Sequence, residues 1–84
     1  MKRKHIYNQN GVTALAKRIK EVRKLRNFTQ EELAYRSGLT LSQIARIETA
    51  RTNPTISTIF KIAKTLDISL AELFDFDIPG EEQT

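Results

Sequence analysis

Arg46 and Ser42 are the side chains of this 84-residue sequence best suited to recognition chemistry. The planar guanidinium of Arg46 offers paired N–H donors, a fork that can bridge two acceptors on one flat partner. Ser42, four residues earlier, donates or accepts. Gln43 carries an amide that does both, and Leu41 offers apolar contact only. Catalysis has far less to work with. There is no cysteine, so no thiolate nucleophile, no disulfide framework and no thiolate metal site. His5 is the only histidine and lacks a Cys or His companion for a metal. No glycine-rich phosphate loop is present. The residue types point to recognition by hydrogen bonds, with no enzymatic activity, metal or cofactor.

Both side chains fall within Thr29 to Glu48, TQEELAYRSGLTLSQIARIE, which reads as two short helices joined by one tight turn. Thr29 can accept a backbone hydrogen bond as N-cap, and Glu32 can bond back, which makes a capping box. Leu33 and Ala34 then face inward. Gly38 stops the helix, since glycine enters the left-handed conformation without a Cβ clash. Thr40 and Gln43 form a second box. Ile44 and Ile47, three apart, share the buried face of the second helix. Ala34 lets that helix cross closely, and Ile44 fills the gap between the two. This is the helix-turn-helix pattern, and its spacing favours DNA over a generic helical bundle.

Eighty-four residues make one domain with one core. No apolar run approaches the ~18 residues a membrane span needs, and no signal peptide opens the chain, so the expected location is cytoplasmic. Net charge is +4, unevenly spread. Residues 1–26 hold nine Lys/Arg against Glu21 alone, whereas Asp67 onward holds six acids and no base. A basic front suits a polyphosphate partner, and an acidic back could dock a protein.

The chain divides into a flexible basic arm, 1–11, a helical domain, 12–75, and a disordered acidic tail, 76–84. The arm carries Lys2, Arg3 and Lys4 and ends on the turn dipeptide Asn10–Gly11. A first helix runs roughly from Thr13 to Arg26, with Val12, Leu15, Ile19 and Val22 on one stripe. Leu25 falls on its polar side. Arg23 lies at the margin of the stripe, where a bare charge is costly, and Glu48 is its candidate partner. Asn27 ends the helix in the left-handed region. Pro54 forces Asn53 to be extended. Thr55 or Ser57 then caps a fourth helix with a broad apolar face: Ile56, Ile59, Phe60, Ile62, Ala63 and Leu66. Ser69 and Glu72 form a third box and open a fifth helix. The class is all-α, a compact five-helix bundle.

Residues from about Ala14 to Phe74 resemble the lambdoid-repressor and Cro type of DNA-binding domain, the XRE family. The segments that carry the likeness are IKEVR (19–23), FTQEELA (28–34), SGLTLSQIARIE (37–48), RTNPT (51–55) and IAKTLDISLAELF (62–74). The resemblance implies a lambda-repressor-like fold, usually dimeric, on double-stranded DNA half-sites related by two-fold symmetry. It implies that Gln30 anchors a phosphate, and that Thr40, Leu41, Ser42 and Arg46 look into the major groove. Gln43 and Thr49 then match phosphate contacts, and Arg23 and Glu48 the family's buried ion pair. Arg51 and Asn53 are further phosphate anchors. Where the family often has glycine this chain has Asn27, Ala50 and Asp67. Alanine cannot take positive φ freely, so Ala50 either stores strain or sends the loop along another path.

In the groove Arg46 can bridge guanine O6 and N7, Leu41 can meet a thymine methyl, and Ser42 is weakly selective. So thin a readout leaves room for sequence-dependent DNA shape. The helix Thr40–Glu48 covers only a few base pairs, so a homodimer is expected. Its interface would use Leu70, Phe74, Phe76 and Ile78, with Phe60 beside them; alternatively, Phe74 and Phe76 fold back on their own core. Function is then a sequence-specific transcriptional regulator. Other readings are an antitoxin or similar interaction module with an acidic-tail partner, and a controller protein of a restriction-modification system.

Overall fold

A computed structural model describes residues 7–80. It contains five helices and, among the described residues, no strand: α1 (Gln9–Leu25), α2 (Gln30–Ser37), α3 (Leu41–Glu48), α4 (Ile56–Leu66) and α5 (Leu70–Leu73). None is long and apolar enough to cross a membrane. The core gathers Ile19 and Val22 of α1, Leu33 and Ala34 of α2, and Ile44 and Ile47 of α3. Ile59, Ile62, Ala63 and Leu66 of α4 and Leu73 of α5 complete it. α2 packs on α3 and α4, and α1 on α3 and α5.

The boxes at α2 and α3 form as the sequence predicts. Thr29 Oγ1 accepts from the Glu32 N–H at 3.0 Å, and the Thr29 N–H donates to Glu32 Oε1 at 2.9 Å. Thr40 and Gln43 repeat the exchange at 3.0 and 2.8 Å. Of the two candidates for α4, Thr55 is the cap and Ser57 is not, with the Thr58 N–H 3.2 Å from Thr55 Oγ1. At α5 the box is incomplete. Ser69 Oγ accepts from the Glu72 N–H, but the Glu72 carboxylate bonds the Ser69 hydroxyl instead of its backbone.

α1 starts at Gln9, four residues before the expected Thr13, and the Asn10–Gly11 turn does not form. Asn8 is the cap, its Oδ1 accepting from the Gly11 N–H at 2.8 Å. The cause is tertiary. The segment after α5 returns to this first turn, where Asn10 Nδ2 donates to the Pro79 carbonyl at 3.0 Å. A Cβ on Gly11 would lie 3.4 Å from Ile78 Cδ1, so the returning segment rests on this glycine. Of the expected tail, residues 76–80 are therefore seated on α1, with Phe76 and Ile78 half-buried. Lys2, Arg3, Lys4 and His5, and positions 81–84, lie outside the described residues.

Every link between helices holds one left-handed residue: Asn27 (φ 61°), Gly38 (φ 78°), Ala50 (φ 58°) and Asp67 (φ 54°). Of the two outcomes open to Ala50, the strained one occurs, at about 1–2 kcal/mol. Around Gly38 a Cβ would meet nothing within 4 Å, so the turn needs its dihedral and not a missing side chain. α4 departs from the expected broad apolar face. Ile56 and Phe60 are exposed, because the inward stripe is centred on Ile59, Ile62, Ala63 and Leu66.

Candidate nucleic-acid interface

α3 presents two unlike faces. Ile44, Ile47 and Glu48 are buried, whereas Leu41, Ser42, Gln43 and Arg46 are all exposed. Positions 42 and 46 are one helical turn apart, so they project from the same side. The inner face fixes this orientation. Arg23 Nε donates to Glu48 Oε2 at 2.6 Å and Nη2 to Oε1 at 3.0 Å, a bidentate pair joining α1 to α3. The third nitrogen, Nη1, donates to the Phe28 carbonyl at 2.8 Å. The side chains of Arg23 and Glu48 are 9% and 1% exposed. The ion pair expected from the sequence is thus present and desolvated, and no buried polar side-chain atom among the described residues lacks a partner.

The polar residues expected around α3 converge on it in different ways. Thr40 is exposed at the cap. Gln43 gives its carbonyl oxygen to the Thr40 N–H, which leaves its NH2 for an outside acceptor. Thr49 is exposed, but its hydroxyl donates to the Ala45 carbonyl at 2.8 Å, so it can only accept from outside or exchange that bond. Gln30, at the first position of α2, is half-buried and bonds Glu48 Oε1 through Nε2 at 3.0 Å. Sequence reasoning missed that bond.

Past α3 the chain turns on strained Ala50 and is tied back where the Arg51 N–H donates to the Arg46 carbonyl at 2.8 Å. This sets Arg51 and Asn53 exposed beside the helix. Gln43 and Arg46 form one wall of a cleft, with Thr52, Asn53, Thr55 and Thr58 opposite. Hydroxyls, amides, a guanidinium and the N-terminus of α4 therefore line a groove without a carboxylate. Such donors suit a phosphodiester backbone running beside α3.

The basic front divides by residue type. Arg18 donates to the Glu72 carbonyl at 2.7 and 3.2 Å and pairs with Glu21 at 2.7 Å. Arg26 donates to the Asp67 carbonyl at 3.0 Å. With Arg23 in the core, the three arginines among the described residues of this stretch hold the fold together. Lys17, Lys20 and Lys24 remain exposed. Among the described residues of the front, the lysines of α1 are left to act as a diffuse positive field. No local pattern marks an arginine that will bond a distant carbonyl, so this split was not readable beforehand.

In the C-terminal part Leu70 and Phe74 are 41% and 40% exposed, and Phe60 of α4 is 49% exposed. Phe76 and Ile78, expected in the same interface, are half-buried and line a cleft with Phe74 and with Gly11, Val12 and Leu15 of α1, the Phe74 and Phe76 rings tilted with centroids 6.0 Å apart. The reason is again the return of the chain to Asn10.

The helix-turn-helix family HTH_3 matches residues 19–73. An uncharacterized HTH-type transcriptional regulator of Archaeoglobus fulgidus is 40% identical over 60 residues, 71% of this chain and 84% of that protein. The HTH-type transcriptional regulator PuuR of Escherichia coli is 41% identical over 71 residues, 83% of this chain but 38% of its own length. Among solved structures, the restriction-modification controller protein C.AhdI of Aeromonas hydrophila superposes with a TM-score of 0.71 at 34% identity. It covers 74% of this chain and 94% of its own.

Proposed function

This chain belongs to the HTH_3 helix-turn-helix family and is a DNA-binding transcription regulator, and from that premise we propose how it reads its site. α3 enters the major groove with Leu41, Ser42 and Arg46 toward base edges. Arg46 bridges guanine O6 and N7, Leu41 meets a thymine methyl, and Ser42 adds one adaptable bond. Gln30, Gln43, Thr49, Arg51 and Asn53 hold the sugar-phosphate strands on either side. One observation carries this reading. The exposed polar side chains of α3, Ser42, Gln43 and Arg46, lie on one side of a helix whose opposite side is locked into the core by Arg23 and Glu48.

Two copies are needed to cover an operator, spaced by about one turn of DNA, ~34 Å. Leu70 and Phe74, together with exposed Phe60, supply apolar surface for a two-fold contact. A controller protein of a restriction-modification system is the second reading. It is favoured by the likeness to C.AhdI, a restriction-modification controller protein that is matched over 94% of its own chain at 34% identity.

Selection of binding sites from a random duplex pool, followed by gel shifts, tests the proposal. Wild-type affinity should fall steeply with salt and show a clear gap over random sequence. Arg46→Ala should lose about 1–3 kcal/mol of discrimination at one base pair per half-site, with little change in thermal stability. Equal affinity for selected and random duplexes would refute it.

A further inference from the structure

Gln30 bonds a group that can only accept. Glu48 Oε1 receives Gln30 Nε2 and Arg23 Nη2, each at 3.0 Å, while Oε2 receives Arg23 Nε. A carboxylate paired with arginine has no proton to give, so the NH2 end of the Gln30 amide must be the end that faces it. A phosphate is likewise a pure acceptor. The amide has two N–H groups, and one is committed to Glu48. The other, on the same nitrogen, is left for an acceptor outside. Were the amide turned over, its carbonyl oxygen would oppose the Glu48 carboxylate.

We infer that Glu48 is a positioning residue for DNA-backbone recognition, fixing the Gln30 amide so that a donor and not a carbonyl oxygen is offered to the phosphate. This rests on the groove docking proposed above. Glu48 suits the role because it cannot follow the amide. Its side chain is 1% exposed and is held on both oxygens by Arg23, which is itself tied to the Phe28 carbonyl. Glu48 is also the last residue of α3, two positions beyond Arg46. One carboxylate therefore links the phosphate anchor on α2 to the base-reading helix, and sets the register between a backbone contact and a base contact.

The test uses duplexes of the selected site, each with one phosphate replaced by a neutral methylphosphonate. For the wild type, replacement at one phosphate per half-site should weaken binding about ten- to a hundredfold, the worth of a hydrogen bond to a charged group. Gln30→Met should abolish sensitivity at that phosphate alone. Glu48→Gln should cut it at least about threefold, because an amide partner lets Gln30 turn over, while sensitivity at other phosphates is kept. The double variant Arg23→Met/Glu48→Met exchanges the whole pair for apolar groups, a change that folds tolerate far better than removing one partner. It should lose the same sensitivity and serves where Glu48→Gln does not fold.

Full retention at the Gln30-dependent phosphate in a folded Glu48 variant would overturn the inference, as would an equal loss at every phosphate. If Gln30→Met changes nothing while Arg46→Ala still erases discrimination, the inference fails and the functional reading stands. If no phosphate matters to the wild type, both fail.

Discussion

The pair α2–α3 and the segment from Leu70 to Gly80 are held by different mixtures of local and remote bonds. In the pair, the fastening groups are three residues apart: Thr29 with Glu32, and Thr40 with Gln43. In the C-terminal segment the incomplete Ser69–Glu72 cap is supplemented by remote bonds to side chains of α1. Arg18 reaches the Glu72 carbonyl across 54 residues, and Asn10 reaches Pro79 across 69. The pair turns Leu33, Ala34, Ile44 and Ile47 into the core and exposes Tyr35 and Leu41, whereas the segment sends only Leu73 inward and leaves Leu70 and Phe74 outward. On the proposed reading the difference separates two tasks. A reading head needs a fixed orientation, which local caps and the buried ion pair provide. The proposed assembly face needs exposed apolar surface, and its backbone is held from outside by α1.

The sharpest way to break this contrast is Arg23→Ala. It strands the Glu48 carboxylate in the core and should cost about 3–5 kcal/mol in urea unfolding, more than any single change in the C-terminal segment. A loss under 1 kcal/mol would mean the pair behaves like a surface bridge. Next in size, Leu70→Glu with Phe74→Glu should weaken dimer association by about 2 kcal/mol or more in sedimentation equilibrium. The urea midpoint of the monomer should hardly move. If the dimer persists, the assembly face lies elsewhere. Ala50→Gly should then add about 1 kcal/mol by releasing the positive-φ strain at the end of α3. Thermal melting would show this, and a lower melting temperature would contradict it.

The smallest effect is on acidification. The Thr29 backbone N–H, then its hydroxyl, and then the charge of Arg36 hold the Glu32 carboxyl below its ordinary value of 4.5. A group lowered by folding adds stability above its unfolded value and loses it as pH falls through the lowered one. Glu32→Gln should erase that slight acid-side loss and leave neutral stability nearly the same, as read from unfolding free energy between about pH 6 and about pH 3. An identical pH profile in both proteins would show that the α2 box gains nothing from charge.

Legibility followed the same division. Both motif boxes, Gly38 as a stop, and the left-handed Asn27 depend on neighbours along the chain, so their signals survive in a single sequence. The outward side of α3 followed from its period, and the partner of Arg23 from the cost of leaving a charge bare at an apolar margin. What was missed required contact at long range. Asn10–Gly11 looks like a turn until residues 78 and 79 are laid against it. Arg18 and Arg26 end on main-chain carbonyls, which every residue has and no residue type announces. Gln30 looked like a phosphate anchor alone, because nothing local shows that Glu48 lies within 3.0 Å.

Four links bend through the same region of backbone space, yet asparagine, glycine, alanine and aspartate stand at the bends. The open space around Gly38 means that nothing crowds a side chain there. Asparagine could occupy that bend at modest cost, and lineages built on this scaffold are free to drift away from the glycine by which such motifs are usually spotted. What descent must preserve is a torsion angle, and its identity as a letter is negotiable.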